Sequence, residues 1–379
     1  MRVTNIRTYV VNTGCDIKWV FIEVATDEGL KGYSEASTVF REEAQAYVIK
    51  ELKPYIIGKD LSEIKRSLNS IYKTHLDVRG PGSLEITALG SIEVAFWDIL
   101  GKKTNMPVYS LLGGKYNEKI KVYAHCEPVF PKEAHSKEWI ARNAIRLVDE
   151  GFQYLKFDPF WFYPEGEAIS LKELDDAENK VKAVREMVGE EVEVGVEIHA
   201  KYNLPSALKI CKRLEKYDPW FFEEPVGSED FQALKVITDK ISVPIASGER
   251  LCTKYAFRDM LTRHCVDIIQ VDPVRAGGFI ESLSIANMAE SYMLPVMIHN
   301  PYGPIYDVIC AHFATVIPNF FAMEYPIYYY RTNPQDLRFK IIKKSPIVFE
   351  KGYLRLSDSP GLGIEVDEDE ILKHSKVIE

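Results

Sequence analysis

From residue 119 to about residue 325 the chain repeats one pattern, a short apolar run followed by an amphipathic helical stretch. The runs are Ile120–Ala124, Tyr154–Phe157, Val192–Ile198, Trp220–Glu223, Pro244–Ser247, Ile268–Val271, Pro295–Ile298 and Phe320–Glu324. Strands covered on both faces read as continuous apolar runs, and an intervening helix lets neighbouring strands run parallel. Eight such units predict a closed (β/α) barrel, whose functional groups belong on the loops at the strands' C-terminal ends.

Ionisable residues end these runs in step with the repeat: Glu197, Glu223, Glu249, Asp272, His299 and Glu324, spaced 23 to 27 residues apart. A barrel would bring all six to one mouth. Carboxylates from successive strands raise each other's pKa when they converge, unless a cation cancels their charge. Glu197, Glu223 and Glu249 are therefore candidate metal ligands, and an all-oxygen set with room for water and substrate suits Mg²⁺ better than zinc. Glu224 competes with Glu223 for this role, because adjacent strand residues point to opposite sides. The alternative for the whole set is a group of surface carboxylates, as any acidic protein carries.

In Glu197-Ile198-His199 the first and third side chains share one face of a strand, which sets His199 beside the metal site as a candidate catalytic residue. Asp272 and His299 come from neighbouring strands, so the carboxylate can hold one imidazole nitrogen and leave the other as a base. A purely structural Asp–His hydrogen bond is the plainer reading of that pair. Lys156-Phe157-Asp158 closes the second run with two side chains directed inward. Lys156 would bind a substrate carboxylate or support the metal ligands, or simply pair with Glu197 or Asp158.

The N-terminal region, residues 1–118, reads as an α+β domain. WVFIEVATDEGLKGYSEAS predicts a hairpin turning at Asp27–Gly29, Glu42–Tyr55 has helical spacing, and Ile86–Lys102 is apolar enough to be a buried helix. The barrel is expected over 119–325. The segment 326–379 has strand and turn chemistry and is expected to pack back on the N-terminal domain. Thr13–Lys18 and His75–Gly82 are the loops expected to lie over the barrel mouth and set specificity.

A chain of 379 residues with 46% hydrophobic and 27% charged residues folds around more than one core. A formal charge of −9 argues against a nucleic-acid partner. No run approaches the ~18 apolar residues of a spanning helix, and the N-terminus reads as a strand, which points to a cytoplasmic protein without a membrane partner. The six cysteines are dispersed without a C-x-x-C pair, as expected of reduced thiols.

Taken together, AFWDILGK, PVYSLLGGK, LKFDPF, GVEIHAKYN, FFEEPV, IASGERL, IIQVDPVRAGG, IHNPYGPI and SPGLGIEV resemble the enolase superfamily, and within it the mandelate racemase subgroup. The resemblance implies an enolase-type barrel with a capping domain, Mg²⁺ on Glu197, Glu223 and Glu249, and a homo-oligomer, dimer or octamer. It implies that Asp272 and His299 form the base dyad, that Glu324 hydrogen-bonds the substrate carboxylate, and that His199 is a general acid like that of acid-sugar dehydratases. Lys156, Asp158 and Glu324 are the candidate substrate-binding residues. Racemases of the subgroup carry a second lysine where Asp158 stands, so the chain is similar to gluconate, galactonate and arabinonate dehydratases. The implied reaction is loss of water from an aldonate to give a 2-keto-3-deoxy acid. The alternative is a racemase, epimerase or cycloisomerase acting on a carboxylate.

Overall fold

The computed structural model describes the chain except residues 15–16, 75–81, 128–134, 164–167 and 327–336. Its first part is an antiparallel sheet of β1 (Val3–Asn12), β2 (Lys18–Thr26) and β3 (Lys31–Glu35), in which Ala25 pairs with Lys31 across the Asp27–Gly29 turn. Gly29 turns the chain with φ +79°, a conformation that costs glycine nothing. Helices Glu42–Ile56 and Ser83–Thr104 cover this sheet, and Val20, Ile22, Val24, Ile49, Ile92 and Phe96 close a core between them.

The barrel strands are β4 (Ile120–His125), β5 (Tyr154–Phe157), β6 (Glu193–Glu197), β7 (Phe222–Glu223), β8 (Ile245–Ser247), β9 (Ile268–Val271), β10 (Val296–Ile298) and β11 (Phe320–Glu324). Each pairs in parallel with the next, and β11 returns to β4 through Met323↔Val122 and Glu324↔Tyr123, closing the ring. All eight apolar runs are strands. Tyr123, Phe221, Ala246, Ile268, Met297 and Ala322 form a separate buried cluster of the strands' inner faces. Closure leaves no unpaired edge and turns the strand ends into one rim.

The tail reaches both parts. β12 (Ile342–Lys344) pairs with β15 (Glu365–Val366), the β13 (Ile347–Glu350)–β14 (Tyr353–Leu356) hairpin adds to barrel strand β4, and β16 (Ser375–Ile378) adds to β1 of the N-terminal sheet. Cys126, Cys211, Cys252, Cys265 and Cys310 are free thiols. No helix among the described residues is long and apolar enough to cross a membrane.

Two buried glutamates from the N-terminal part dock it on the barrel. Glu35 accepts hydrogen bonds from the backbone N–H of Gly303 at 2.7 Å and of Tyr306 at 2.9 Å, at the start of helix Pro304–Val316, which follows β10. Glu93 accepts from Phe279 N–H at 2.8 Å and Ile280 N–H at 3.2 Å, at the start of helix Phe279–Ser291, which follows β9. Each carboxylate satisfies donors that a helix leaves open at its first turn. Burial nonetheless pushes both acids up to about 7. Helix Ser83–Thr104 approaches the loop after β9 so closely that a Cβ at Gly90 would lie 2.3 Å from the carbonyl oxygen of Val274.

Candidate active site

Strand register sets Glu197 directly opposite Glu223, and the turn after β8 adds Glu249. One carboxylate oxygen from each of the three lies within 4.8 Å of the others, and all three side chains are buried. The local backbone explains how Glu197 is held. His199 and Ala200 adopt left-handed conformations, with φ 51° and 58°, so the chain curls back and the N–H groups of Ile198 and His199 donate to Glu197 Oε1 at 3.0 and 2.8 Å. Glu224 also has positive φ, at 42°, and turns away to accept three hydrogen bonds of 2.7 to 2.9 Å from Arg250. That geometry separates Glu223 from its neighbour, which spacing alone left open.

Lys156 Nζ reaches Glu197 Oε2 at 3.0 Å and Glu223 Oε1 at 2.7 Å, and lies 3.8 Å from Glu324. Burial works against its charge, but Glu223 and Glu324 hold its pKa well above the usual lysine range. Gln270 donates to Glu223 Oε1 at 2.6 Å, whereas Glu223 Oε2 is buried with no hydrogen-bond partner among the described residues. Burial and the facing Glu197 push the Glu223 carboxyl well up. Three carboxylates against one lysine, with one buried oxygen unsatisfied, make a donor set that fits a hard divalent cation.

On β10 and the end of β9, His299 Nδ1 meets Asp272 Oδ2 at 3.0 Å. Asp272 Oδ1 accepts from the Arg275 backbone N–H at 3.0 Å and from the Tyr306 hydroxyl. His299 Nε2 lies 3.3 Å from Glu249. Burial alone would lower the imidazole pKa, but Glu249 and Asp272 raise it.

Across the ring, His199 Nδ1 meets Asp158 Oδ2 at 2.7 Å. Asp158 is buried and also accepts from Lys201 Nζ at 3.0 Å and the Phe160 N–H at 2.5 Å. It does not line the cavity. Its carboxylate holds the His199 ring. Burial disfavours charged His199, but Glu197 and Asp158 outweigh it and raise its pKa to about 9. The Trp161 ring packs edge-on against it, with centroids 4.9 Å apart.

Glu324 Oε2 accepts the Asn300 N–H at 2.8 Å and Oε1 meets His125 Nε2. Against its burial, Lys156 and His125 hold its pKa well below the usual carboxylate range. Sequence reading missed His125 because it ended the first run one residue early. The signal was present, since β4 runs to His125, which pairs in register with Lys156. Lys201, Arg250, Arg275 and Tyr306 were also missed, as polar residues just beyond strand ends or one helical turn further on.

These groups open into a cavity of about 540 Å³ that Lys156, Glu197, His199, Glu249, His299 and Glu324 line from the barrel. Thr38, Val39, Phe40, Arg41, Ser83 and Leu84 line it from the N-terminal part. Of the two loops expected over the mouth, Ile17 lines the cavity, while residues 15–16 and 75–81 lie outside the described residues.

A closed parallel barrel with a carboxylate triad at its mouth and an α+β cap over it defines an enolase-type enzyme. Residues 5–113 match the N-terminal domain of the mandelate racemase/muconate lactonizing enzyme family and residues 139–370 match the enolase C-terminal domain-like family, so the chain belongs to the mandelate racemase/muconate lactonizing enzyme family. It is 31% identical over 383 residues to a D-xylonate dehydratase of Haloferax volcanii, spanning 98% of this chain and 88% of that protein. A Mesorhizobium loti structure described as a candidate dehydratase superposes with TM-score 0.92 at 29% identity, over 100% of both chains. An enolase-superfamily member from Salmonella Typhimurium gives TM-score 0.90 at 27% identity, covering 100% of this chain and 99% of that one. The chain is thus an enzyme of this family, and the named relative is a dehydratase.

Proposed function

We propose that the chain dehydrates a sugar acid to a 2-keto-3-deoxy acid, with Mg²⁺ held by Glu197, Glu223 and Glu249. The observation that carries this reading is the placement of two imidazoles, each backed by its own carboxylate. His299 with Asp272 stands at β10, and His199 with Asp158 stands after β6, four strands away in a ring of eight. A substrate at the centre of the mouth lies between a base on one side and an acid on the other. The resemblance to a D-xylonate dehydratase supports a polyhydroxy acid as substrate.

Mg²⁺, when bound, supplies a Lewis acid for the substrate's carboxylate and 2-hydroxyl and neutralises the charge of the three glutamates. Lys156 donates to the carboxylate as negative charge builds there on loss of the C2 proton. Asp272 fixes the ring of His299, and Nε2 takes that proton. Asp158 fixes the ring of His199, which enters protonated and gives its proton to the 3-hydroxyl, so that water leaves in place of hydroxide. The resulting enol ketonises to the product. Glu324, held by His125, is an anion before substrate arrives and hydrogen-bonds the substrate carboxylate through a proton taken up together with the substrate, since two ionised carboxylates offer only acceptors.

The test is a panel of four- to six-carbon aldonic and uronic acids offered to Mg²⁺-loaded protein, with 2-keto acid formation followed by proton NMR. Turnover is expected for at least one aldonate, to stop in excess chelator and to return with Mg²⁺. Full activity in chelator would overturn the metal assignment. Epimerisation at C2 without keto acid would overturn dehydration and favour the racemase alternative.

A further inference from the structure

Arg275 has no assigned task in the chemistry above, yet it lines the same cavity. Among the described residues its Nε, sealed from solvent, has no hydrogen-bond partner, and no carboxylate forms a contact ion pair with its guanidinium, although Asp272 and Glu249 favour its charge through space. Arg250, on the same cavity, is instead bidentate to Glu224. An unpaired buried guanidinium donor is costly unless a ligand or water completes it.

Its position says which part of a ligand it meets. Arg275 lies three residues beyond Asp272, on the loop that packs beneath cap helix Ser83–Thr104. There a Cβ at Gly90 would lie 2.3 Å from Val274 O, and one at Gly277 would lie 3.5 Å from Ile86. It therefore sits at the seam between cap and barrel. A substrate held at the strand ends by its carboxylate and C2 oxygen extends its remaining carbons toward that seam. Beyond Glu197, Glu249 and Glu324, no carboxylate among the described residues lines the cavity, while Arg41 lines it from the N-terminal part, so the seam side favours electron-rich oxygen.

We propose that Arg275 is a specificity-determining residue that binds an oxygen carried beyond C3 of the substrate, either a hydroxyl of a sugar acid or the second carboxylate of a sugar diacid. The assignment rests on the sugar-acid reading of the site. Guanidinium presents several N–H donors in a fixed plane, and so grips a carboxylate or a pair of hydroxyls through two bonds.

The experiment measures binding, not turnover, by titration calorimetry on the Mg²⁺-loaded protein with three acids that lack a 3-hydroxyl. Lactate ends at C3, 3-deoxypentonate adds hydroxyls beyond it, and 3-deoxypentarate adds a terminal carboxylate. Wild type is expected to bind at least one of the two longer acids about 10- to 100-fold tighter than lactate, the span of a charge-assisted hydrogen bond. Arg275→Gln should erase that margin and leave lactate binding unchanged, and Arg275→Lys should keep part of it. The unchanged lactate constant shows that the variant's site is folded. A margin confined to the pentarate identifies a diacid site, and one shared by both longer acids a hydroxyl site. A margin that survives in Arg275→Gln, equal weakening of all three acids, or no margin in wild type overturns the proposal. Failure of the dehydratase reading would show separately, as absence of keto acid from the panel while these ratios persist.

Discussion

Replacing Asp158 with Asn keeps the side chain's volume, removes its charge and turns one acceptor oxygen into an NH₂ donor. In the native site Oδ2 takes both His199 Nδ1 at 2.7 Å and Lys201 Nζ at 3.0 Å, and Oδ1 takes the Phe160 N–H at 2.5 Å. An amide has one acceptor oxygen, so its NH₂ must face one of these donor sets. If the oxygen stays on Phe160, the bond that aims the His199 ring is lost. A hydrogen bond to a charged group is worth ~1.5–3 kcal/mol, or about 10- to 150-fold in rate if it is felt fully in the transition state. Complete loss of a general acid sets the ceiling, at about 10⁴-fold. Dehydration by Asp158→Asn should therefore fall about 10- to 150-fold, well short of that ceiling. Proton abstraction at C2 uses His299 and Asp272, which Asp158 does not touch, so it should continue. The assay is proton NMR in deuterated water on a turned-over aldonate, following keto acid and the C2–H signal of residual substrate together. Slow dehydration with deuterium entering recovered substrate is expected. Equal loss of exchange and dehydration, or dehydration at the wild-type rate, would refute the division of labour between the two histidines.

His299→Asn should abolish both dehydration and C2 exchange, while His199→Asn should lose dehydration by ~100- to 10,000-fold and keep exchange; a His299 variant that still exchanges would sink the base assignment. Glu223→Gln should weaken Mg²⁺ binding severely in calorimetry while leaving the circular dichroism spectrum unchanged, and wild-type affinity would remove it from the ligand set. Stability should fall as pH rises from about 4.5 to about 7, because buried Glu35 and Glu93, both raised to about 7 in the fold, keep their protons after the unfolded chain has lost them. Each contributes about 3 kcal/mol to that loss, so the wild-type melting temperature should drop across this window and Glu35→Gln and Glu93→Gln should flatten the slope; a wild-type melting temperature independent of pH there would contradict it.

The barrel was legible because its repeat is long and regular. Eight apolar runs gave eight strands, with ends displaced by one or two residues. Glu197, Glu223, Glu249, Asp272, His299 and Glu324 are brought to one mouth for the same reason, since a closed ring converts equal spacing along the chain into proximity. What spacing could not convey was direction away from the strand. Glu224 is separated from Glu223 by a left-handed backbone turn, and Asp158 is drawn beneath His199 by Lys201 and Phe160, neither of which follows from periodicity. His125 escaped because a strand end was set one residue short. Tyr306 reaches Asp272 from a helix. A contact between elements 34 residues apart leaves no periodic trace.

The glutamates that seat the cap also bear on how such an enzyme can change. Glu35 and Glu93 come from separate elements of the N-terminal part and seat on the helices that follow β10 and β9. Those strands deliver His299 and Asp272, and the first of the helices carries Tyr306, whose hydroxyl holds Asp272. A cap grafted from another protein would have to present carboxylates at both points or leave the dyad's own helices uncapped. The rim residues between the two anchors, Thr38 to Arg41 among them, carry no such obligation. Variation is thereby steered to the loops that meet the substrate, and the chemistry beneath them is insulated from it.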